Sequence, residues 1–291
     1  MSIKLVTYPF LFTVNPLHQI NTTTINERLS RVPHQLFKPH RTDFFQIYLF
    51  TQGFGSHMVD FEPIEVKPQH ILFISQGQVH AFDANQGYDG KALIFTEEFF
   101  CRTSADQQFF QSSPLFKNFF CQSYFKINEN FEKLEAIFSE IFDELKRVPD
   151  KKQGDILHNL LHRIILLADR EMKENSGVVK HTSHKEDLAI RFKEEIDKHY
   201  LTHKKLIFYI DLLHVSLRQL QIATNAMFNK SPKQLVQDRI LLEAKRMLAY
   251  DKLSVKEIAA KLGFDETTNF IKYFKKNSGL TPLDFRRKFL E

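Results

Sequence analysis

The sequence contains no tryptophan, only two cysteines, and few of the residues that interrupt regular structure. Its 291 residues include 9 glycines and 10 prolines, so no long disordered arm is expected. There is no run of about 18 apolar residues, which excludes an ordinary membrane-spanning helix. The first residues lack the basic and apolar segments of a secretory signal. We therefore expect a cytoplasmic protein in which Cys101 and Cys121 stay reduced, and two cysteines alone do not predict a zinc site.

The remaining composition is that of a globular protein with an uneven charge. Hydrophobic residues make up 43% of the chain and charged residues 26%, and the length is sufficient for two domains. Residues 181–291 carry 21 Lys and Arg against 14 Asp and Glu, whereas residues 1–180 carry 19 against 21. This basic C-terminal third favours an anionic partner, although a solvated lysine-rich surface is the alternative.

Short β-branched and aromatic segments indicate strands in the first 125 residues. FFQIYLF (44–50) and HILFISQ (70–76) are such segments, and the two glycines of TQGFGSH (51–57) are typical of a hairpin or bulge. Many short strands separated by turns predict a β-sandwich or barrel.

Two amphipathic stretches within residues 127–173 predict a helical hairpin. The first places a stripe of apolar side chains on one face: Phe131, Leu134, Ile137, Phe138, Ile141 and Leu145. Each stripe has to be buried against something. We expect pairing with a second subunit, the alternative being packing on the β-domain. Polar residues 174–187 then have the composition of a linker.

The segment EIAAKLGFDETTNFIKYFKK (257–276) predicts two short helices joined at Gly263. Apolar residues recur at helical spacing in both halves, and a sharp turn between helices favours glycine because it needs a positive φ angle. This is the pattern of a helix-turn-helix. The outward face of the second helix carries Thr267, Thr268, Asn269, Lys272 and Lys276. These side chains can bond to base edges and phosphates in a major groove, although a solvent-facing bundle helix is the alternative.

A second copy of this pattern lies fifty positions earlier, within residues 206–232. Leu220 corresponds to Phe270, and Asn229 to Gly279. The exposed face of its second helix would carry Arg218, Gln219, Gln221, Ile222 and Asn225. The helix between the copies would span about 27 Å, enough to place the two recognition helices in successive major grooves.

At these residues the sequence resembles the AraC/XylS family of bacterial transcription regulators. The resemblance covers about 186–288 and rests on SVKEIAAKLGF, on F..YFKK..G.TP..FR and on the helix that precedes them. It implies contacts with DNA from the recognition-helix positions that match Arg218, Gln221, Ile222, Asn225, Thr267, Thr268, Asn269 and Lys272. The sequence departs from the family at His214, where a turn glycine is common, and at Ile222, where a basic residue is frequent.

Residues 39–82 are similar to the cupin-like sensor domain of the same family. The resemblance implies a small-molecule effector, for which the candidate pocket residues are His40, Asp43, Gln46, His57, Gln78 and His80. A metalloenzyme built on two histidines and a carboxylate is the alternative. We expect no catalytic residue, cofactor or metal ion.

Together these observations predict an α+β protein of two domains. Residues 1–173 form a cupin-like β-barrel sensor and dimerisation domain that includes the helical hairpin. After the linker at 174–187, residues 188–291 form an all-α DNA-binding domain. Its parts are a helix-turn-helix at about 204–229, a linker helix at 232–249, and a second helix-turn-helix at about 254–278. The expected function is sequence-specific DNA binding by a transcription regulator, with a small effector, a second subunit and RNA polymerase as further partners.

Overall fold

The computed structural model describes residues 6–10, 19–31, 36–84, 87–116, 123–175 and 184–288. Two compact units divide the chain, one within residues 6–179 and one within 180–291. Most of the predicted linker, at 176–183, and Cys121 lie outside the described residues. Cys101 is a free thiol, and burial raises its pKa to about 11.

The N-terminal unit is built on a curled sheet whose nine described strands include one long central strand. The strands are β1 (Val6–Tyr8), β2 (Ile20–Thr24), β3 (His40–Thr42), β4 (Phe45–Val59), β5 (Glu62–Val66), β6 (His70–Ile74), β7 (His80–Phe82), β8 (Gly87–Phe95) and β9 (Ser123–Lys126). The first half of β4 pairs antiparallel with β6 and β8, and its second half pairs with β5 and β7. The pairing of β4 with β8 contains a register shift between Phe50 and Gln52 and continues to Phe54. One long strand thus contributes to both walls of the half-barrel.

Alternate residues of the central strands enter two different cores. Ile47 and Leu49 point to the outer core, whereas Tyr48 and Phe50 point into the half-barrel. All four side chains are fully buried. The first half of β4 is therefore covered on both faces, which explains its nearly continuous apolar sequence.

Five helices whose bounds fall within the described residues accompany this sheet. They are α1 (Ile25–Arg31), α2 (Glu97–Phe100), α3 (Ser104–Ser112), α4 (Phe131–Lys146) and α5 (Gln153–Asn175). The apolar stripes of α4 and α5 are buried in the outer core against the sheet of the same chain. The prediction that the α4 stripe pairs with a second subunit is therefore wrong, because its own sheet already covers it.

A buried carboxylate connects the end of α5 to the start of α4. Glu171 accepts hydrogen bonds from the backbone N–H groups of Asn128, Glu129 and Asn130 and from the Asn130 side-chain amide, at 2.8–3.0 Å. Burial alone would raise its pKa, but these four hydrogen bonds lower it overall. Glu171 thus satisfies the N–H groups that precede the first turn of α4.

The C-terminal unit is all helical among its described residues. It contains α6 (His184–His199), α7 (Leu206–Leu213), α8 (Leu217–Phe228), α9 (Pro232–Tyr250), α10 (Val255–Lys261), α11 (Thr267–Ser278) and α12 (Pro282–Lys288). Helix α9 buries twelve of its nineteen residues and is packed against helices of both repeats. Capping boxes at Ser216, Ser231 and Ser254 fix the starts of α8, α9 and α10.

The predicted fold class is confirmed: a curled β-sheet domain with a helical hairpin precedes a helical domain that contains two helix-turn-helix motifs. Within the described part of the chain, no helix combines the length and apolarity needed to cross a membrane.

Candidate nucleic-acid interface and buried cavity

Helix α11 presents a polar face because its apolar residues are held on the opposite side. Phe270 and Phe274 are fully buried, and the Tyr273 hydroxyl donates to the Gln237 carbonyl oxygen of α9 at 2.6 Å. These contacts leave most of the predicted reading face exposed, with Thr267 half-buried. Thr268 donates its hydroxyl hydrogen to the Glu266 carboxylate at 3.0 Å. The exposed residues Ile271 and Lys275 also lie on this helix and were not predicted.

Helix α8 is oriented in the same way within the first repeat. Leu220, Ala223 and Thr224 are buried, so the five residues predicted for its reading face are all exposed. The side-chain oxygen of Gln219 accepts from the backbone N–H and hydroxyl of Ser216, at 2.8 Å each. Gln219 is therefore committed to the helix cap. The remaining candidates on α8 are Arg218, Gln221, Ile222 and Asn225.

The turns inside the two motifs both require left-handed backbone. His214 ends α7 with φ 54°, and Gly263 follows α10 with φ 69°. A Cβ atom on Gly263 would lie 2.3 Å from the Leu201 carbonyl oxygen. Lys204 donates to the Gly263 carbonyl oxygen, and its ammonium lies 4.8 Å from the centre of the Phe264 ring. The segment between α6 and α7 therefore contacts the turn of the second motif directly.

A buried ion cluster joins α9 to α6. Arg239 donates to the Asp197 carboxylate at 3.0 Å and to the Glu243 carboxylate at 3.2 Å, and Arg246 donates to Glu243 at 3.2 Å. Burial raises the pKa of Asp197 to about 6, although the neighbouring Arg239 opposes this shift. The cluster therefore fixes α9 against α6.

The N-terminal unit contains a cavity of about 160 Å³. Its apolar lining consists of Tyr8, Pro9, Leu36, Phe44, Ala92 and Ile94. Its polar lining consists of Asn21, Thr22, Thr23, Arg28, Arg31, His40 and Thr42. Helix α1 thus contributes two arginines to one wall, and the start of β3 contributes a buried histidine.

Behind this lining, a chain of neutral polar groups fills the half-barrel. The Gln46 amide nitrogen lies 2.8 Å from His80 Nε2, and His80 Nδ1 lies 3.3 Å from His57 Nε2. His57 Nδ1 lies 3.4 Å from the Tyr88 hydroxyl. An amide nitrogen can only donate, so His80 accepts at Nε2 and donates from Nδ1, and His57 accepts and donates in the same order. Each ring is therefore neutral.

Burial explains why these rings stay uncharged. It lowers the pKa of His40 to about 4 and that of His57 to about 3. The pKa of His80 is also lowered, first by burial and then by repulsion from His40 and His57. An added proton on His80 Nε2 would face the Gln46 amide hydrogens and break the chain.

The six residues predicted for an effector pocket occupy three different environments. His40 lines the cavity, whereas Gln46, His57 and His80 belong to the polar chain behind it. Asp43 is exposed and accepts from the Phe10 backbone N–H at 2.8 Å. Gln78 accepts from the Ser75 backbone N–H at 2.9 Å, which is a local turn contact. Among the described residues, no cluster of three or more His, Cys, Asp or Glu side chains is arranged to hold a metal ion.

The two arginines of the cavity are not among the residues predicted from the sequence. Arg28 and Arg31 lie in INERLSR (25–31), a segment to which no element was assigned. Arg28 and Arg31 are one turn apart on a helix, a spacing that could have placed them on one face. The position of that helix over the sheet depends on long-range packing, which this short segment does not reveal.

Each of the two units matches a known protein family. Residues 29–165 match the family described as AraC-like ligand binding domain, and residues 209–288 match a helix-turn-helix domain family. The chain is 20% identical to the HTH-type transcriptional activator RhaS of Escherichia coli over 264 residues, which cover 88% of this chain and 90% of RhaS. It is also 20% identical to the HTH-type transcriptional activator RhaR of Pectobacterium carotovorum over 263 residues, covering 89% of each. A solved structure of ToxT from Vibrio cholerae aligns with 92% of this chain and 97% of its own, at 11% identity and a TM-score of 0.42.

Proposed function

Because the chain belongs to the AraC family of DNA-binding transcription regulators, we propose that it binds DNA through α8 and α11, and that a small effector bound in the N-terminal cavity controls it. The observation that carries this proposal is the pair of matching polar helix faces, each presented by a buried apolar side and joined by one buried helix. Such a regulator acts in the cytoplasm, where bacterial DNA lies.

Base contacts are assigned to the exposed side chains that are not already used within their own helix. On α11 these are Asn269 and Lys272, whose amide and ammonium suit adenine and guanine edges respectively. On α8 they are Arg218, Gln221 and Asn225, with Ile222 placed to contact a thymine methyl group. Thr267, Thr268 and Lys276 are assigned to phosphates or neighbouring bases, and Gln219 to the cap.

The test compares cognate and unrelated DNA for single variants of α11. Asn269→Ala and Lys272→Ala should each weaken cognate binding by about 1–3 kcal/mol while changing binding to unrelated DNA much less. Lys252→Ala is the matched control, since Lys252 is exposed in the loop after α9. That variant should lose no more on cognate DNA than on unrelated DNA. Equal losses on both DNAs for Asn269→Ala and Lys272→Ala would reject the assignment of base contacts.

Effector control requires that the effector bind one arrangement of the regulator better than another. The cavity is the proposed effector site because it joins a polar end, formed by α1 and β3, to apolar walls from β8. His40 belongs to this site directly. Gln46, His57 and His80 support it from behind, and Asp43 and Gln78 are not assigned to it.

We propose that the regulator is a homodimer and an activator that contacts RNA polymerase. The relatives RhaS and RhaR are named as transcriptional activators, which supports activation here. The outward faces of α4 and α5 expose Phe142, Ile156 and Leu166, which suits pairing through these faces. Sedimentation equilibrium of the full chain should give a dimer that Leu166→Glu dissociates. A wild-type monomer at micromolar concentration would reject the dimer.

A further inference from the structure

Arg28 is half-buried and brings a positive charge to the cavity. Its Nη2 donates to the neutral side-chain oxygen of Gln46 at 3.1 Å. Its Nε is buried and has no hydrogen-bond partner among the described residues. A buried donor left in this state costs free energy, and more so when the group is charged.

The described lining of the cavity contains no carboxylate that could compensate this charge. The neighbouring Arg31 is paired with Glu27 on the solvent side of α1, where both side chains are well exposed. One end of the cavity therefore has a net positive charge, and Arg28 lacks an anionic hydrogen-bond acceptor there. A carboxylate is a suitable acceptor, because its two oxygens match the planar fork of a guanidinium.

His40, in contrast, lacks a hydrogen-bond donor. Its Nδ1 lies 2.9 Å from the Lys38 carbonyl oxygen, which can only accept, so Nδ1 is the donor and Nε2 is an acceptor. Nε2 is buried and has no hydrogen-bond partner among the described residues. The ring remains neutral at ordinary pH because burial lowers its pKa to about 4. A ligand that satisfies it must supply a hydrogen-bond donor, which a carboxylate alone does not have.

Two hydroxyl groups of the wall already donate elsewhere. Thr22 donates its hydroxyl hydrogen to the Ala92 carbonyl oxygen at 3.0 Å, and Thr42 donates to the Phe44 carbonyl oxygen at 3.0 Å. An ammonium group on the ligand would be repelled by the uncompensated arginine charge. A neutral hydroxyl can donate to His40 Nε2 without this repulsion.

We propose that the effector is a small hydroxycarboxylic acid, whose carboxylate pairs with Arg28 and whose hydroxyl donates to His40 Nε2. This inference rests on the proposed role of the cavity as the effector site. The apolar walls formed by Leu36, Phe44, Ala92 and Ile94 would hold the carbon skeleton, and the volume of about 160 Å³ limits the skeleton to a small one.

The test is calorimetric titration of the full chain with matched probes at pH 7.5. Mandelate and lactate carry both groups, mandelamide and lactamide replace the carboxylate by a neutral amide, and phenylacetate lacks the hydroxyl. At least one hydroxy acid should bind at least about tenfold more tightly than its amide, and mandelate about tenfold more tightly than phenylacetate. Phenylglycine and phenyl phosphate test an ammonium and a larger anion, and both should bind more weakly than mandelate.

Two variants assign the preferences to residues. Arg28→Met should remove the preference for acid over amide, whereas Arg147→Met, which removes an exposed arginine of the same unit, should leave it unchanged. His40→Phe should remove the preference for mandelate over phenylacetate. Because His40 is buried, thermal unfolding must first show that His40→Phe is folded. If it is not, Arg28→Met still tests the inference. That variant should fold, because Gln46 keeps the hydrogen bond from the Tyr48 hydroxyl when Arg28 is removed.

Three results would overturn the inference: amides that bind as tightly as acids, a preference that survives Arg28→Met, or no binding by any hydroxy acid at millimolar concentration. Tighter binding of phenyl phosphate than of mandelate would also contradict the inference, because it would indicate an effector with a phosphate ester instead of a carboxylate. Each of these results leaves the DNA-binding proposal intact if the same preparation binds its selected DNA sequence. Failure to bind any DNA sequence selectively would instead reject the proposed function.

Discussion

His57 shows how single buried residues set the conditions under which the N-terminal unit is stable. Its ring is fully buried and is linked on one side to His80 and on the other to the Tyr88 hydroxyl. The link to His80 needs a neutral imidazole, because His57 Nε2 is the acceptor in it. Burial keeps it neutral by lowering its pKa to about 3, so this residue resists protonation in the folded state but not in the unfolded chain.

Acid should therefore destabilise the N-terminal unit through His57. Its folded pKa lies below the unfolded value of about 6.5, so the unfolded chain binds more protons as the pH falls. This stability is present above pH 6.5 and is lost as the pH falls towards the folded pKa. Between pH 7 and pH 5, His57 alone should cost about 2 kcal/mol of unfolding free energy. His40, with a pKa of about 4, adds a similar loss.

The measurement is denaturant unfolding of the N-terminal unit in the full chain at pH 7 and pH 5, for wild type and His57→Phe. The variant should reduce the difference between the two pH values by about 2 kcal/mol, because it removes one titrating group. Arg102→Gln, which changes an arginine outside this polar chain, should leave the difference as in the wild type. An unchanged difference in His57→Phe would show that the ring is not held neutral in the folded protein.

At the scale of elements, the turn at Gly263 packs against the segment between α6 and α7. The residue combines a positive φ with a carbonyl that accepts from Lys204, so both its backbone angle and its surroundings are fixed. Gly279, which ends α11, shares the positive φ but would have no atom within 4 Å of an added Cβ. The two glycines separate the cost of backbone strain from the cost of a steric clash.

Gly263→Ala should destabilise the C-terminal unit by about 2 kcal/mol more than Gly279→Ala. Both variants carry the strain of a left-handed alanine, which costs about 1–2 kcal/mol. Only the first also forces a Cβ against the Leu201 carbonyl oxygen, at 2.3 Å in the present backbone. Thermal or denaturant unfolding of each variant measures the difference. Equal losses would mean that the segment after α6 moves away freely and does not brace this turn.

The same elements show what the sequence could and could not predict. Both helix-turn-helix motifs were predictable because caps such as Ser216 and Ser254, turn residues, and apolar spacing all act within a few positions. The pairing of the α4 stripe was mispredicted because a stripe shows that a face is buried, not what covers it. The first half of β4 is buried on both sides, so alternation could not identify its inward face.

The cavity was the least predictable feature for a related reason. It is assembled from α1, β2, β3 and β8, which are far apart in the sequence. His40 is predictable because histidine has obvious binding chemistry, whereas Asp43 is close to it in sequence but does not line the cavity. Arg28 was overlooked because its importance follows from a buried, unsatisfied nitrogen, and this property exists only in the folded chain.

At the scale of the whole molecule, a sensing unit and a DNA-binding unit are joined in one chain. Each has its own core, and the basic excess lies in the part of the sequence that contains the DNA-binding unit. Within that unit, α9 is nineteen residues long, or about 28 Å, and contacts both repeats. We predict that this helix spaces two base-reading helices along one face of a duplex.

Selection of bound fragments from random duplex DNA by the full chain, at a fixed near-physiological salt concentration, measures this spacing. We predict a motif with two short conserved blocks about 10 bp apart, the separation of successive major grooves. The double variant Gln221→Ala with Asn225→Ala should relax one block, and Asn269→Ala with Lys272→Ala should relax the other. Enrichment of a single block, or loss of both blocks from either double variant, would contradict two independently reading helices.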